Sequence, residues 1–98
     1  MIRHVVLFQF TPGTTEAEID DYERSLVDYV AEFEGVVSYR IGRDAGLNQN
    51  TYDFSIVAEF ADEGAFRRYF DDERHLAIQR ATATMIAGKA SSQSRYDD

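Results

Sequence analysis

The sequence predicts an α+β fold: a ferredoxin-like, four-stranded antiparallel sheet with its helices on one face. Three observations predict it. Apolar, β-branched and aromatic residues form short strand-like runs at 1–10, 36–43 and 52–60. Segments with helical periodicity separate the first run from the second and follow the third. The order is therefore β-α-β, then β-α-(α)-β, and right-handed crossovers put the helices on one side of one sheet.

The opening run, MIRHVVLFQF, places Ile2, His4, Val6, Phe8 and Phe10 on one face if it is a strand. TPGT ends it with a turn. Thr15 is then a candidate N-cap and Glu18 its capping-box partner. Ile19, Tyr22, Leu26, Tyr29, Val30 and Phe33 follow at helical spacing, which predicts an amphipathic helix over about 15–34, stopped by Gly35. VVSYRIGR reads as the second strand and DAGLNQNT as a polar loop. YDFSIVAEF alternates cleanly, with Tyr52, Phe54, Ile56, Ala58 and Phe60 on one face. Asp62 can cap a short helix carrying Phe66, Tyr69 and Phe70. DDER interrupts it. A further helix is expected from near His75, with the stripe His75, Ile78, Thr82 and Met85 and a stop at Gly88. KASSQSRYDD is a weak, serine-rich candidate for the last strand.

The 98 residues suit one domain, spanning 1–98. A net charge of −8 opposes binding to nucleic acid or to anionic membrane surfaces. No apolar run approaches the roughly 20 residues of a membrane span. The amino terminus lacks the pattern of a signal peptide, so a cytoplasmic location is the default expectation. There is no cysteine, which excludes disulfides and thiolate–metal sites. A metal site is not expected from two histidines far apart in the sequence, because usual sites take three or four ligands. The acidic runs DDYE and DDE lack the glycine-bearing calcium-loop pattern and read as solvated faces.

The first strand raises a question about partners. Its second face carries Val5 and Leu7, and no element remains to cover it. An exposed apolar sheet face marks an interface. The expected partner is a second copy of the chain, sheet against sheet.

The opening MIRHVVLFQF, the central YDFSIVAEFADEGAFRRYF and the histidine soon after resemble the stress-responsive A/B barrel domain (Dabb) family. The resemblance covers nearly the whole chain. It implies a dimeric α+β barrel, in which two ferredoxin-like sheets pack together. The family includes plant stress proteins, bacterial proteins and a plant polyketide cyclase similar to olivetolic acid cyclase, whose chemistry is done by a tyrosine and a histidine. By that resemblance Tyr69 and His75 are the candidate catalytic pair. His4 carries the first-strand histidine of the pattern. Phe54 stands where the cyclase has a pocket histidine, and Leu26 where it has a pocket tyrosine, with Tyr22 and Tyr29 nearby. The segment DERH puts Asp72 and Glu73 where the family has histidine and proline.

Chemically, a histidine of near-neutral pKa can accept a proton from carbon or oxygen, and a tyrosine hydroxyl can hydrogen-bond a developing enolate. Such a pair could close a ring by an aldol-type step without a cofactor. His4, on the helix-facing side, would meet the stripe of Tyr22, Tyr29, Tyr69 and His75. An imidazole among aromatic rings needs partners for both nitrogens. A bound ligand would supply one. With the positions that the resemblance adds, His4, Tyr22, Tyr29 and Phe54 are the candidate ligand-binding residues. Three readings stand at this point: a homodimer that binds a small apolar or aromatic molecule between sheet and helices, a cofactor-free polyketide cyclase-like enzyme, and a dimerisation module without ligand. A cavity lined by His4, Tyr69 and His75 would favour the first two.

Overall fold

The computed structural model describes residues 1–97. Four strands, β1 (Ile2–Phe10), β2 (Val36–Arg43), β3 (Phe54–Phe60) and β4 (Ile86–Arg95), form one sheet in the order β2-β3-β1-β4. All three pairings are antiparallel. Helices α1 (Glu16–Ala31), α2 (Glu63–Asp71) and α3 (Glu73–Thr82) connect them, and a single 3₁₀ turn, Ala83–Met85, leads into β4. The ferredoxin-like α+β fold is thus the one the sequence predicts.

Local chemistry fixes the helix ends. At the start of α1 the Glu18 amide donates to the Thr15 hydroxyl (3.2 Å), and the Thr15 amide donates to the Glu18 carboxylate (3.0 Å). Such caps contribute about 1 kcal/mol. The helix ends at Ala31, three residues before the expected Glu34, and Gly35 turns the chain into β2. Gly35 has a φ of +95°, and a Cβ there would lie 2.6 Å from the Ala65 Cβ, so conformation and space both demand glycine. The Asp62 carboxylate accepts from the Ala65 amide at 2.8 Å and starts α2. Asp72 is extended, which breaks the helix, and its side chain then caps α3 by accepting from the Arg74 amide at 2.8 Å. His75 accordingly lies in the first turn of α3.

Three boundaries differ from expectation at the other elements. The third strand begins at Phe54, leaving Tyr52 and Asp53 in the loop; the Asp53 carboxylate instead accepts from the Phe10 amide at 2.8 Å. The last helix ends at Thr82, and Gly88 lies inside β4, opposite Gln9. A Cβ on Gly88 would meet only the Gln9 side chain, whose flexible end can move aside, so this glycine is a strand residue and not a helix stop. The weak C-terminal strand is real and long, because pairing with β1 along nearly its whole length engages one edge of its backbone whatever its side chains are.

The pleat divides β1 as the alternation requires. Ile2, His4, Val6 and Phe8 are buried beneath the helices, together with Phe54, Ile56, Ala58 and Phe60 of β3. Ile19, Tyr22, Leu26 and Tyr29 of α1 pack onto them. Each such fully buried side chain is worth roughly 1.5–3 kcal/mol in transfer from water. No described helix covers the other face. There Val5 pairs with Val57 and Leu7 with Ser55 and Ala90, and Leu7 remains 37% exposed. Arg3 and Glu59 form a cross-strand ion pair of 3.1 Å on the same face.

Candidate functional site

A cavity of about 230 Å³ lies between the sheet and the helices. Three elements bring its polar groups together. β1 supplies His4, the end of α2 supplies Tyr69, and the start of α3 supplies His75. Tyr22 and Leu26 of α1 and Ile56 of β3 close the apolar walls. The exposed residues Lys89 and Ala83 mark the side that reaches solvent.

The two imidazoles are buried and have complementary hydrogen bonding. The Gln93 amide nitrogen lies 2.9 Å from His4 Nδ1. An amide NH₂ only donates, so Nδ1 accepts and the neutral His4 ring carries its proton on Nε2. His75 Nδ1 lies 3.2 Å from the Phe70 carbonyl oxygen. A carbonyl only accepts, so Nδ1–H donates and Nε2 of His75 keeps a free lone pair. One histidine is thus a donor and the other an acceptor. Burial, the nearby His75 and Lys89 lower His4 from 6.5 to about 4. Burial likewise lowers His75, against the opposing pull of the Phe70 carbonyl. Both rings are neutral at physiological pH, the state in which His75 Nε2 is basic.

Tyr69 is among the most deeply buried side chains of the chain. Its ring centroid lies 4.5 Å from that of His75, with 41° between the planes. Its hydroxyl lies 2.9 Å from that of Tyr39, and either can donate. When Tyr39 donates, the Tyr69 proton is free for another acceptor. Burial raises the Tyr69 phenol to about 12, and the Tyr39 hydrogen bond works against that rise. Tyr39 and Tyr22 are pushed higher still, first by burial and then by the neighbouring Tyr69. All these hydroxyls therefore keep their protons, and within the Tyr39–Tyr69 pair one donates while the other accepts.

Four of the six expected site residues line the cavity: His4, Tyr22, Tyr69 and His75. Tyr29 and Phe54 do not. Tyr29 stands behind the site, with its ring 5.7 Å from Tyr69 and 6.2 Å from His75, and its hydroxyl donates to the Tyr69 carbonyl at 3.3 Å. Phe54 fills the core between Phe8, Phe10 and Tyr22. Sequence reasoning missed Tyr39, Gln93 and Lys89. The period-two pattern of VVSYRIGR was signal enough to put Tyr39 on the helix side. Gln93 and Lys89 lie in the weak C-terminal strand, and only its register with β1 sets Gln93 opposite His4 and Lys89 opposite Phe8. Among the described residues no group of three or more His, Asp or Glu side chains could hold a metal ion. No described helix is long and apolar enough to cross a membrane.

The stress responsive A/B barrel domain, Dabb, matches residues 2–91. The chain belongs to the Dabb family. Among solved structures it is similar to a dimeric ferredoxin-like protein of unknown function from Thermobifida fusca. That protein is 30% identical, with 97% of this chain and 90% of that one covered and a TM-score of 0.88. A Dabb protein with a ferredoxin-like fold from Mesorhizobium loti is 22% identical, covering 99% and 97% of the two chains at a TM-score of 0.81. The hydroxynitrile lyase of Passiflora edulis shares the fold at 12% identity, with 99% and 94% covered and a TM-score of 0.86. No curated protein matches the chain.

Proposed function

We propose that this Dabb protein is a homodimer whose protomers each bind a small, largely apolar or aromatic carbonyl compound between sheet and helices. One observation carries the reading: His4, Tyr69 and His75, from three separate elements, line one cavity. A dimerisation module without ligand would have a filled core there. The volume of about 230 Å³ bounds the ligand. An apolar cavity of about 150 Å³ takes benzene, so this one suits a single substituted ring or a short chain rather than an extended polyketide. The uncovered sheet face, with Val5, Leu7 and Val57 at its centre, supports self-association, as does the dimeric Thermobifida fusca relative.

A second reading, cofactor-free proton transfer, is favoured by the opposed hydrogen bonding of the histidines. His75 Nε2 would remove a proton next to the ligand carbonyl, while His4 Nε2–H or the Tyr69 hydroxyl would donate to the oxygen on which charge develops. The scaffold is compatible with enzyme chemistry, since the Passiflora edulis protein of this fold is a hydroxynitrile lyase. Solvent deuterium exchange at the α-carbon of phenylacetaldehyde, followed by proton NMR, tests it. The wild type should accelerate exchange. His75→Gln should slow it by roughly a hundred- to ten-thousand-fold while leaving binding nearly unchanged. Binding of the aldehyde with no accelerated exchange would leave a binding protein and remove the enzyme reading.

A further inference from the structure

The charge of the cavity is unlike that of the chain around it. The protein carries −8 overall, yet none of the described residues lining the cavity is Asp or Glu. Its one full charge is Lys89, the only lysine in the sequence. Seven arginines are ion-paired with acidic side chains. Lys89 has no such partner among the described residues. Its ammonium instead lies 5.8 Å from the centroid of the Phe8 ring, itself part of the cavity wall. Gln79 and Thr82 are further polar lining groups, and the walls beyond are Val6, Leu26 and Ile56.

An unpaired cation beside an apolar chamber free of carboxylates favours an anion of one charge on an apolar body, because a fixed opposite charge and the wall each match one end of such a molecule. We propose that the cavity selects a small organic carboxylate, a single-ring or short-chain acid, with its charged end at Lys89 and its apolar end toward Val6, Leu26 and Ile56. The inference rests on the reading that the cavity binds a small molecule, and it names the class and the residue that selects it. Lys89, His4 and His75 line the same cavity, so a carboxylate held at Lys89 would share the chamber with both imidazoles.

Matched acid and amide pairs test it: benzoate with benzamide, phenylacetate with phenylacetamide, and hexanoate with hexanamide. Each is titrated at neutral pH while the His4 and His75 imidazole signals are followed by NMR. In the wild type the acids should bind about tenfold more tightly than their neutral isosteres, despite the negative protein. Lys89→Met should weaken the acids by about tenfold and leave the amides within about twofold, and Lys89→Arg should restore acid binding. Lys89 is exposed, so these variants should fold. Equal binding of acid and amide by the wild type, or an unchanged acid affinity in Lys89→Met, would overturn the proposal while leaving the cavity reading intact. No shift of either imidazole with any of the six compounds would overturn both.

Discussion

The ring of Tyr69 lies 4.5 Å from the imidazole of His75, at 41° between planes, and the two residues come from different helices. That contact depends on Asp72. Its extended backbone ends α2 just after Tyr69 and starts α3 just before His75, folding the two onto one cavity. Had the helix run on unbroken, residues six apart would have lain on different faces.

The hydroxyl pair Tyr39–Tyr69 should act as a unit. Tyr39→Phe and Tyr69→Phe should each cost about 0.5–1.5 kcal/mol of stability, with the double variant costing less than their sum. Urea denaturation of the four proteins measures this. Full additivity would mean that the 2.9 Å contact contributes nothing.

Histidine tautomers should be opposite. Neutral His4 should be protonated at Nε2 and neutral His75 at Nδ1, which long-range ¹H–¹⁵N correlation spectra distinguish. Gln93→Leu should remove the donor to His4 Nδ1 and let the other tautomer appear at that ring alone. An Nδ1-protonated His4 in the wild type would contradict the donor role assigned to its Nε2.

Stability should fall on mild acidification. Burial lowers His4 from 6.5 to about 4 and lowers His75 in the same direction. The unfolded chain therefore takes up protons that the folded chain refuses. Their contribution is fully present above about pH 6.5 and is lost as the pH falls toward 4. Glu18, Glu59 and Glu63 are held below 4.5, so their losses come at lower pH. Denaturation midpoints across this range should drop, and His4→Gln should flatten the drop. A flat profile in the wild type would contradict buried neutral histidines.

The uncovered sheet face should hold the dimer. Val5→Lys with Leu7→Lys places two charges at the centre of that face, where desolvating them is costly. Sedimentation should show a monomer or an unfolded chain. A double variant that sediments as a dimer with an unchanged melting temperature would move the interface elsewhere.

Much of the fold was legible because side-chain period and caps agree over the first 70 residues: the Thr15–Glu18 box, Gly35, and the alternation through Phe54–Phe60. The C-terminal strand was legible only weakly, because edge pairing depends on backbone rather than on the Ser91, Ser92 and Ser94 side chains. That also hid Gln93 and Lys89, whose meaning comes from register with β1. His4 and His75 could be picked out as residues, but their opposite protonation could not, since it is set by Gln93 across the sheet and by the Phe70 carbonyl. Tyr29 and Phe54 share the aromatic stripe with the lining residues, and only packing depth separates wall from support.

His4, Tyr69 and His75 line one cavity, and a single ligand there should touch all three. Nuclear Overhauser contacts between bound phenylacetaldehyde and the protein test it most directly. The same ligand should give contacts to the imidazole protons of both His4 and His75 and to the Tyr69 ring. Contacts to only one histidine, or only to Leu7 and Val57 on the open sheet face, would contradict it.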